Sequence, residues 1–240
     1  MSLPMTELPL ELRLLAESGL RAMERHPDHH YDWQTRRALY RTCRSTYPPQ
    51  TPSFIGWLAV HAAQYVLPIF TSSITDDDLP QLLVTYAEKI MKKQRRPHSS
   101  RVSYLLDQAY LCTGIDCLVW RTITAYNAEY TGTTAYKALI EASGQHDLLE
   151  DIELGIQRGW VKPRTRSRKD VQPIYPSDIT DSDIAHLAAF GDTAGSAAIA
   201  YACARESFSL DATKLRDFWE WWVDSALPQA WQHATEESDP

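Results

Sequence analysis

Apolar residues recur at spacings of three and four along almost every segment of this chain, and this period constrains the fold more than any other feature. The clearest case is the stretch KLRDFWEWWVDSALPQAW at 214–231, which holds four of the eight tryptophans. On a helical wheel its apolar residues form one stripe, so we predict a helix that buries this stripe in a core. The stripe consists of Leu215, Phe218, Trp219, Trp222, Val223, Ala226, Leu227 and Ala230.

The other segments show the same period, and the chain has only nine glycines in 240 residues. We therefore predict an all-α protein, a multi-helix bundle of about nine or ten helices with no substantial sheet. We expect Thr6 to cap the first helix. A long helix should start near Ser53 and kink or stop early at Pro68. We also expect one helix over 115–130 and a separate short helix closed by Gly144.

The segment at 161–178 differs from the rest because it is basic, contains three prolines and lacks helical period. It is predicted to be a loop or linker before a C-terminal helical subregion at 180–233. It either separates two bodies or lies on the surface of one. Because the last helices are too apolar to stand alone, we expect a single helical domain over 1–240.

The net charge and the hydropathy of the chain indicate which partners and which cellular location to expect. The net charge of −7 fits a basic protein partner better than nucleic acid. The apolar run at 54–70 contains His61 and Gln64 and is short for a membrane span. The first 20 residues lack the basic and apolar regions of a signal peptide, and the four cysteines form no CxxC pair. We therefore expect a cytoplasmic protein with no membrane and no nucleic-acid partner.

One tryptophan does not follow the stripe of the last helix. Trp221 falls among the acidic residues Asp217, Glu220 and Asp224, away from the other apolar positions. It either packs under a neighbouring segment or presents a large apolar surface to a partner, and tryptophan is enriched in interface hot spots. We predict that these four residues bind a partner.

A second acidic face is predicted on the segment DLLEDIE at 147–153. Asp147, Glu150 and Asp151 share one side of a helix there. A solvated face near the positive end of a helix explains them without catalysis. We include them as the second candidate surface for a basic partner.

Motifs for metal or catalytic chemistry are weak. The segment HPDHHYD at 26–32 packs metal-ligand types closely, but it has neither HExxH nor paired CxxC, so we predict a polar loop. There is also no GxSxG, Walker loop or GxGxxG. We expect no cofactor and no metal. The alternative, an all-α metal-dependent or small-molecule enzyme, would use histidines drawn from His26, His29, His30, His61 and His186.

Two stretches together resemble a known family. The sequence GWLAVHAAQYVLPIF, followed by the acidic turn DDDLP, is similar to the opening of the immunity protein 5 family of bacterial polymorphic toxin systems. The Ala-rich stretch at 185–204 is similar to later helices of that family, so the resemblance covers about residues 54–231. The family's acidic positions before V-L-P are His61 and Gln64 here, so no acidic role carries over.

The resemblance implies an all-α cytoplasmic protein that binds and neutralises a cognate toxin domain by protein–protein contact, with a basic toxin favoured by the acidic chain. Two alternatives stay open beside it. One is the histidine-based enzyme. The other is a helical scaffold that forms a homodimer through its aromatic last helix.

Overall fold

A computed structural model describes residues 7–25, 29, 31–92, 99–113, 126–144, 148–150, 191–205 and 209–236. These residues form an all-α multi-helix bundle with nine α-helices and no strand, which confirms the predicted fold class. The helices are α1 (Leu10–Glu24), α2 (Trp33–Thr46), α3 (Thr51–Ser73), α4 (Leu79–Met91), α5 (Ser99–Thr113), α6 (Tyr126–Ser143), α7 (Thr193–Ala202), α8 (Ala212–Trp221) and α9 (Leu227–Glu236).

The long apolar helix α3 lies at the centre of the bundle. It packs against α4, α6, α7 and α9, and every residue from Gly56 to Val60 is buried. Among the described residues it is the one helix long and apolar enough to cross a membrane, but 61% of its most apolar window is buried inside the protein. The core helix of a soluble protein can have the same length, composition and burial.

The last helix buries the predicted stripe in full: all eight of its residues are buried. A short π-helical turn, Trp222–Ala226, joins α8 to α9, so the helix is continuous from Ala212 to Glu236. Each large side chain in the stripe stabilises the fold by about 1.5–3 kcal/mol through burial. The stripe therefore packs against the core, as its spacing predicts.

Three helix boundaries differ from the sequence predictions. The first helix begins at Leu10 after Pro9, and not at Thr6, because a proline disfavours helical geometry in the residue before it. The helix α3 continues through Pro68 to Ser73, although Pro68 cannot donate to the carbonyl four residues earlier.

The third difference concerns α6, which runs unbroken from Tyr126 to Ser143 where a break near 131 was predicted. The TGTT sequence at 131–134 looks like a turn, but its threonine hydroxyls bond back within the helix. Thr131 Oγ1 donates to the Asn127 carbonyl at 2.9 Å, and Thr134 Oγ1 donates to the Tyr130 carbonyl at 2.7 Å. Gly144, in the left-handed region at φ 66°, ends the helix as predicted.

Several predicted features lie outside the described residues: most of the helix at 115–130, the segment at 161–178 and the first Ala-rich helix of the C-terminal subregion. The single-domain organisation stays a prediction. Within the described part, α7 packs against α3 and α6, and α9 packs against α3.

Candidate functional site

Trp221 lies half-buried at the end of α8, and its indole stacks on the phenol ring of Tyr65 from α3. The two ring centroids are 3.8 Å apart, with 18° between the planes. Tyr201 of α7 lies 5.4 Å from Tyr65, and the buried ring of Phe218 lies beneath these side chains. Tyr65, Tyr201 and Trp221 are all partly exposed, and we call them the aromatic platform.

The stack explains how a tryptophan off the apolar stripe is held. Its cover comes from Tyr65 of α3, a neighbouring segment that the sequence analysis did not name. Burial is the main cause that raises the pKa of Tyr65 to about 12, followed by the neighbouring hydroxyl of Tyr201. Tyr65 is therefore neutral across the physiological range, and its ring is fixed on three sides by other aromatic rings.

Carboxylates surround the platform on its α8 side. The side chains of Asp217 and Glu220 are 48% and 49% exposed, and Asp224 is also exposed. The guanidinium of Arg216 lies 3.7 Å from both Asp217 and Glu220, but exposed pairs at this distance contribute little energy. The structure thus brings together all four residues predicted on the last helix.

The second predicted acidic face is described only at Glu150. Asp147 and Asp151 lie outside the described residues. Glu150 accepts two hydrogen bonds from Arg37, both at 3.2 Å, and two from Arg41, at 2.6 and 2.9 Å. The hydrogen bond from Arg41, with those from Arg37, lowers the pKa of Glu150 to about 2. A basic partner would have to compete with these arginines for the Glu150 carboxylate.

A buried charged centre, which the sequence analysis did not find, joins α2, α6 and α7. Arg36 is fully buried, and its guanidinium donates two hydrogen bonds to Asp192, at 3.1 and 2.9 Å. It also donates to the Tyr31 carbonyl at 2.6 Å and lies 4.9 Å from the ring of Trp219. Asp192 in turn caps α7 by accepting the Gly195 amide N–H at 3.0 Å.

Lys137 and Glu141 complete this centre from one face of α6. Burial lowers the pKa of Lys137 to about 8. Burial, with the nearby charge of Asp192, raises the pKa of Glu141 to about 8. Burial therefore disfavours the charged form of both groups and shifts their pKa values towards each other, a property often found at catalytic sites.

The centre also contains a hydrogen bond between Lys137 Nζ and Ser196 Oγ, a pair of groups that some enzymes use in catalysis. A lysine can act as the base that activates a serine nucleophile. Ser196 is only 2% exposed, however, so a substrate could not reach its hydroxyl without separating α6 from α7. We therefore assign the centre a structural role.

A sequence signal for the centre existed. Arg36 lies in phase with the buried residues Leu39, Tyr40 and Cys43 on α2, so its position predicted burial. Asp192 interrupts an Ala-rich stretch that is otherwise small and apolar. A charged residue on an apolar face needs a partner of opposite charge, but the spacing of residues does not show which residue that partner is.

The histidines do not form a metal site in the described part of the chain, where no group of three or more His, Cys, Asp or Glu residues could hold a metal ion. His61 stacks on Trp57 with centroids 5.7 Å apart and lies 5.5 Å from His233. Burial, with the charge of His233, lowers the pKa of His61 to about 4. The His61 side chain is hydrogen-bonded to Gln64, and its buried Nε2 atom has no hydrogen-bond partner among the described residues. His26, His30 and His186 lie outside the described residues.

No protein-family model and no curated protein sequence matches this chain.

Proposed function

We propose that this protein is a cytoplasmic immunity protein, which binds a toxin domain through the aromatic platform and neutralises it. The observation that supports the proposal is the position of Trp221, stacked on Tyr65 at the surface with three carboxylates beside it. The resemblance to the immunity protein 5 family points to the same function.

The platform combines the two physical requirements of such an interface. Its rings are already ordered, so a partner binds them at a low cost in side-chain entropy. A lysine or arginine of the partner can lie against the aromatic surface and pair with Asp217, Glu220 or Asp224. These carboxylates would also speed encounter with a basic domain.

The experiment combines the capture of proteins that bind the chain with a test of whether those proteins are toxic. Proteins that bind the wild-type chain in lysates of its native cell are identified, and each is expressed alone and with the chain in a bacterial host. We expect one of them to stop growth alone and to be harmless beside the wild type. Trp221→Ala should weaken binding by about 2 kcal/mol or more, as expected for a hot spot, and restore toxicity.

The control is Tyr104→Ala, which removes an aromatic ring that is 51% exposed on α5, away from the platform. It should protect as the wild type does. Equal protection by Trp221→Ala and the wild type would show that the interface lies elsewhere. If no captured protein is toxic, the immunity function itself is contradicted.

The carboxylates have a matched test of their own. Asp217→Asn, Glu220→Gln and Asp224→Asn together should slow association with the toxin and reduce its dependence on salt. The control carries the same change of charge on other exposed positions, at Glu24, Asp76 and Asp107.

Measuring the molecular size of the wild type and of Trp221→Ala in solution tests the dimer alternative, since a dimer formed through this surface would dissociate in the variant.

A further inference from the structure

The ring on which Trp221 stacks decides which part of this tryptophan a ligand can reach. Tyr65 covers one face of the indole, at a centroid distance of 3.8 Å, and the buried ring of Phe218 lies 5.5 Å away. Trp221 is nevertheless only partly buried, so its exposed surface belongs to the other face of the indole and to its edges. A ligand that reaches this residue therefore meets an aromatic surface that is already held in place.

Two carboxylates lie about one helical turn before and after Trp221. Asp217 precedes it by four residues and Asp224 follows it by three, so both share its side of the helix. Glu220, the preceding residue, is turned about 100° away from the indole. After burial and a neighbouring hydroxyl, the charge of Asp217 also contributes to the raised pKa of Tyr65, which places the Asp217 carboxylate beside the platform.

The three carboxylates differ in the cation that each already faces. Asp217 and Glu220 each lie 3.7 Å from the guanidinium of Arg216. In the part of the chain that the structure describes, Asp224 is exposed and has no hydrogen bond or ion pair. Its carboxylate is therefore the one that a cation of a partner meets without displacing a group of this chain.

An arginine side chain fits the indole and the carboxylate together. Its guanidinium group is planar, so it can lie flat on an aromatic face while its N–H groups, which point outward in the same plane, donate to a carboxylate at the edge of that face. The ammonium group of lysine is compact and more strongly hydrated, so it loses more by leaving water for an aromatic surface. The two groups carry the same charge, and shape and hydration therefore decide between them.

We propose that the aromatic platform is an arginine-binding site, where a guanidinium group of the toxin domain stacks on Trp221 and pairs with Asp224. Asp217 and Glu220 add negative potential that attracts the arginine at longer range. The inference rests on the proposed immunity function for the source of the arginine, but the preference of the site for guanidinium can be measured without the toxin.

The test uses fluorine NMR on the full chain labelled with fluorotryptophan, and its probe is the peptide Gly-Arg-Gly, blocked at both ends. The resonance of Trp221 is identified as the one that is lost in Trp221→Phe. The same peptide with lysine keeps the charge, and the same peptide with citrulline keeps the planar shape without the charge. We expect the arginine peptide to shift the Trp221 resonance saturably, with an affinity at least about threefold higher than that of the lysine peptide. The citrulline peptide should give no saturable shift.

Substitutions at the carboxylates then test the pairing. Asp224→Asn should weaken binding of the arginine peptide by at least about threefold, because the direct pair loses its charge. Glu220→Gln should weaken it less. Asp107→Asn, the same change as at Asp224 but at an exposed position of α5, should leave the affinity unchanged.

Equal affinity for the arginine and lysine peptides, or no saturable shift with either, would overturn the proposal. So would equal losses in Asp224→Asn and Glu220→Gln, since the carboxylates would then act only through the net charge of the surface.

Failure of this inference can be told apart from failure of the immunity function. A toxin that is neutralised through Trp221, together with a platform that does not prefer the arginine peptide, would keep the immunity function and overturn the arginine site. A clear preference for the arginine peptide in a protein that captures no toxin would support the arginine site and contradict the immunity function.

Discussion

The protonation of Glu141 affects the stability of the fold. The residue is only 7% exposed and lies near the charge of Asp192, and these causes raise the pKa of its carboxyl from 4.5 to about 8. Between these two values the folded state keeps a proton that the unfolded state has released. The free energy of unfolding therefore falls as pH rises through this window.

We predict that Glu141→Gln removes this dependence. The free energy of unfolding of the wild type, minus that of the variant, should fall by at least about 1.4 kcal/mol from pH 5 to pH 8, the equivalent of one pK unit. Denaturant titrations at several pH values measure it. The control Glu24→Gln, at an exposed position of α1, measures the effect of removing a carboxylate from the surface. A flat or rising difference for Glu141→Gln would contradict the assignment.

Titration of His61 should make the free energy of unfolding rise with pH, at lower pH values than for Glu141. Its pKa falls from 6.5 to about 4 in the fold, so the unfolded state binds a proton first as pH decreases. The groups that face it are His233, Gln64 and Glu88. Relative to His61→Gln, the wild type should lose about 1.4 kcal/mol or more of stability from pH 6.5 to pH 4. The same loss in both proteins would mean that His61 is not responsible.

At the level of the helices, two glycines mark where neighbouring elements approach most closely. A Cβ at Gly19 of α1 would overlap the ring of Tyr31, and a Cβ at Gly56 of α3 would overlap the thioether of Met91. Tyr31 is fully buried, donates to the Ala16 carbonyl at 3.1 Å and stacks on Trp219. It has no space to move, whereas the end of a methionine side chain adapts.

We therefore predict that a change from glycine to alanine lowers the free energy of unfolding by different amounts at Gly19 and Gly56. Gly19→Ala should lower the free energy of unfolding by about 1–3 kcal/mol through overpacking. Gly56→Ala should cost less, because Met91 can change its rotamer. Both glycines lie inside helices, so the gain in helix propensity is the same in each case. Denaturant unfolding of the two variants gives the comparison, and equal costs would show that Tyr31 can move.

The elements also show which parts of the fold follow from sequence. The stripe of the last helix was predicted residue by residue, because a spacing of three and four leaves one possible buried face. The break near 131 was predicted wrongly, since the TGTT sequence is typical of a turn in isolation. Within the fold Thr131 and Gly132 are buried, and packing of α6 against α3 overrides the local preference.

Part of the candidate site could also be predicted from the sequence, and part could not. The grouping of Trp221 with Asp217, Glu220 and Asp224 was predictable because all four lie on one helix. Its contact with Tyr65 was not, since Tyr65 lies on α3, far away in the sequence. The buried charged centre was missed for the same reason: helical period predicts which face is buried, but it does not say which helix covers that face.

At the scale of the whole molecule, the ion pair between Arg36 and Asp192 joins segments 156 residues apart. It ties α2, in the N-terminal part of the chain, to the start of α7. Other contacts of this region are those of α1 with α2, α8 and the π-helical turn, of α2 with α3, and of Arg37 and Arg41 with Glu150. A buried charge that loses its partner costs about 3–5 kcal/mol, so breaking this pair should weaken the hold of the bundle on the region.

We predict that Asp192→Asn loosens α1 and α2 before the rest of the bundle. Asparagine still caps a helix well, so α7 should keep its start, whereas Arg36 would lose the charge that pairs with it. Amide hydrogen exchange, followed by mass spectrometry, should speed up at least about tenfold in α1 and α2, with a smaller change in α3 and α6. The control is Asp211→Asn, the same substitution at the exposed cap of α8, where Asp211 accepts from Thr213 and Lys214. Faster exchange spread evenly over all helices would show that the bundle opens as one cooperative unit and that the ion pair stabilises it globally.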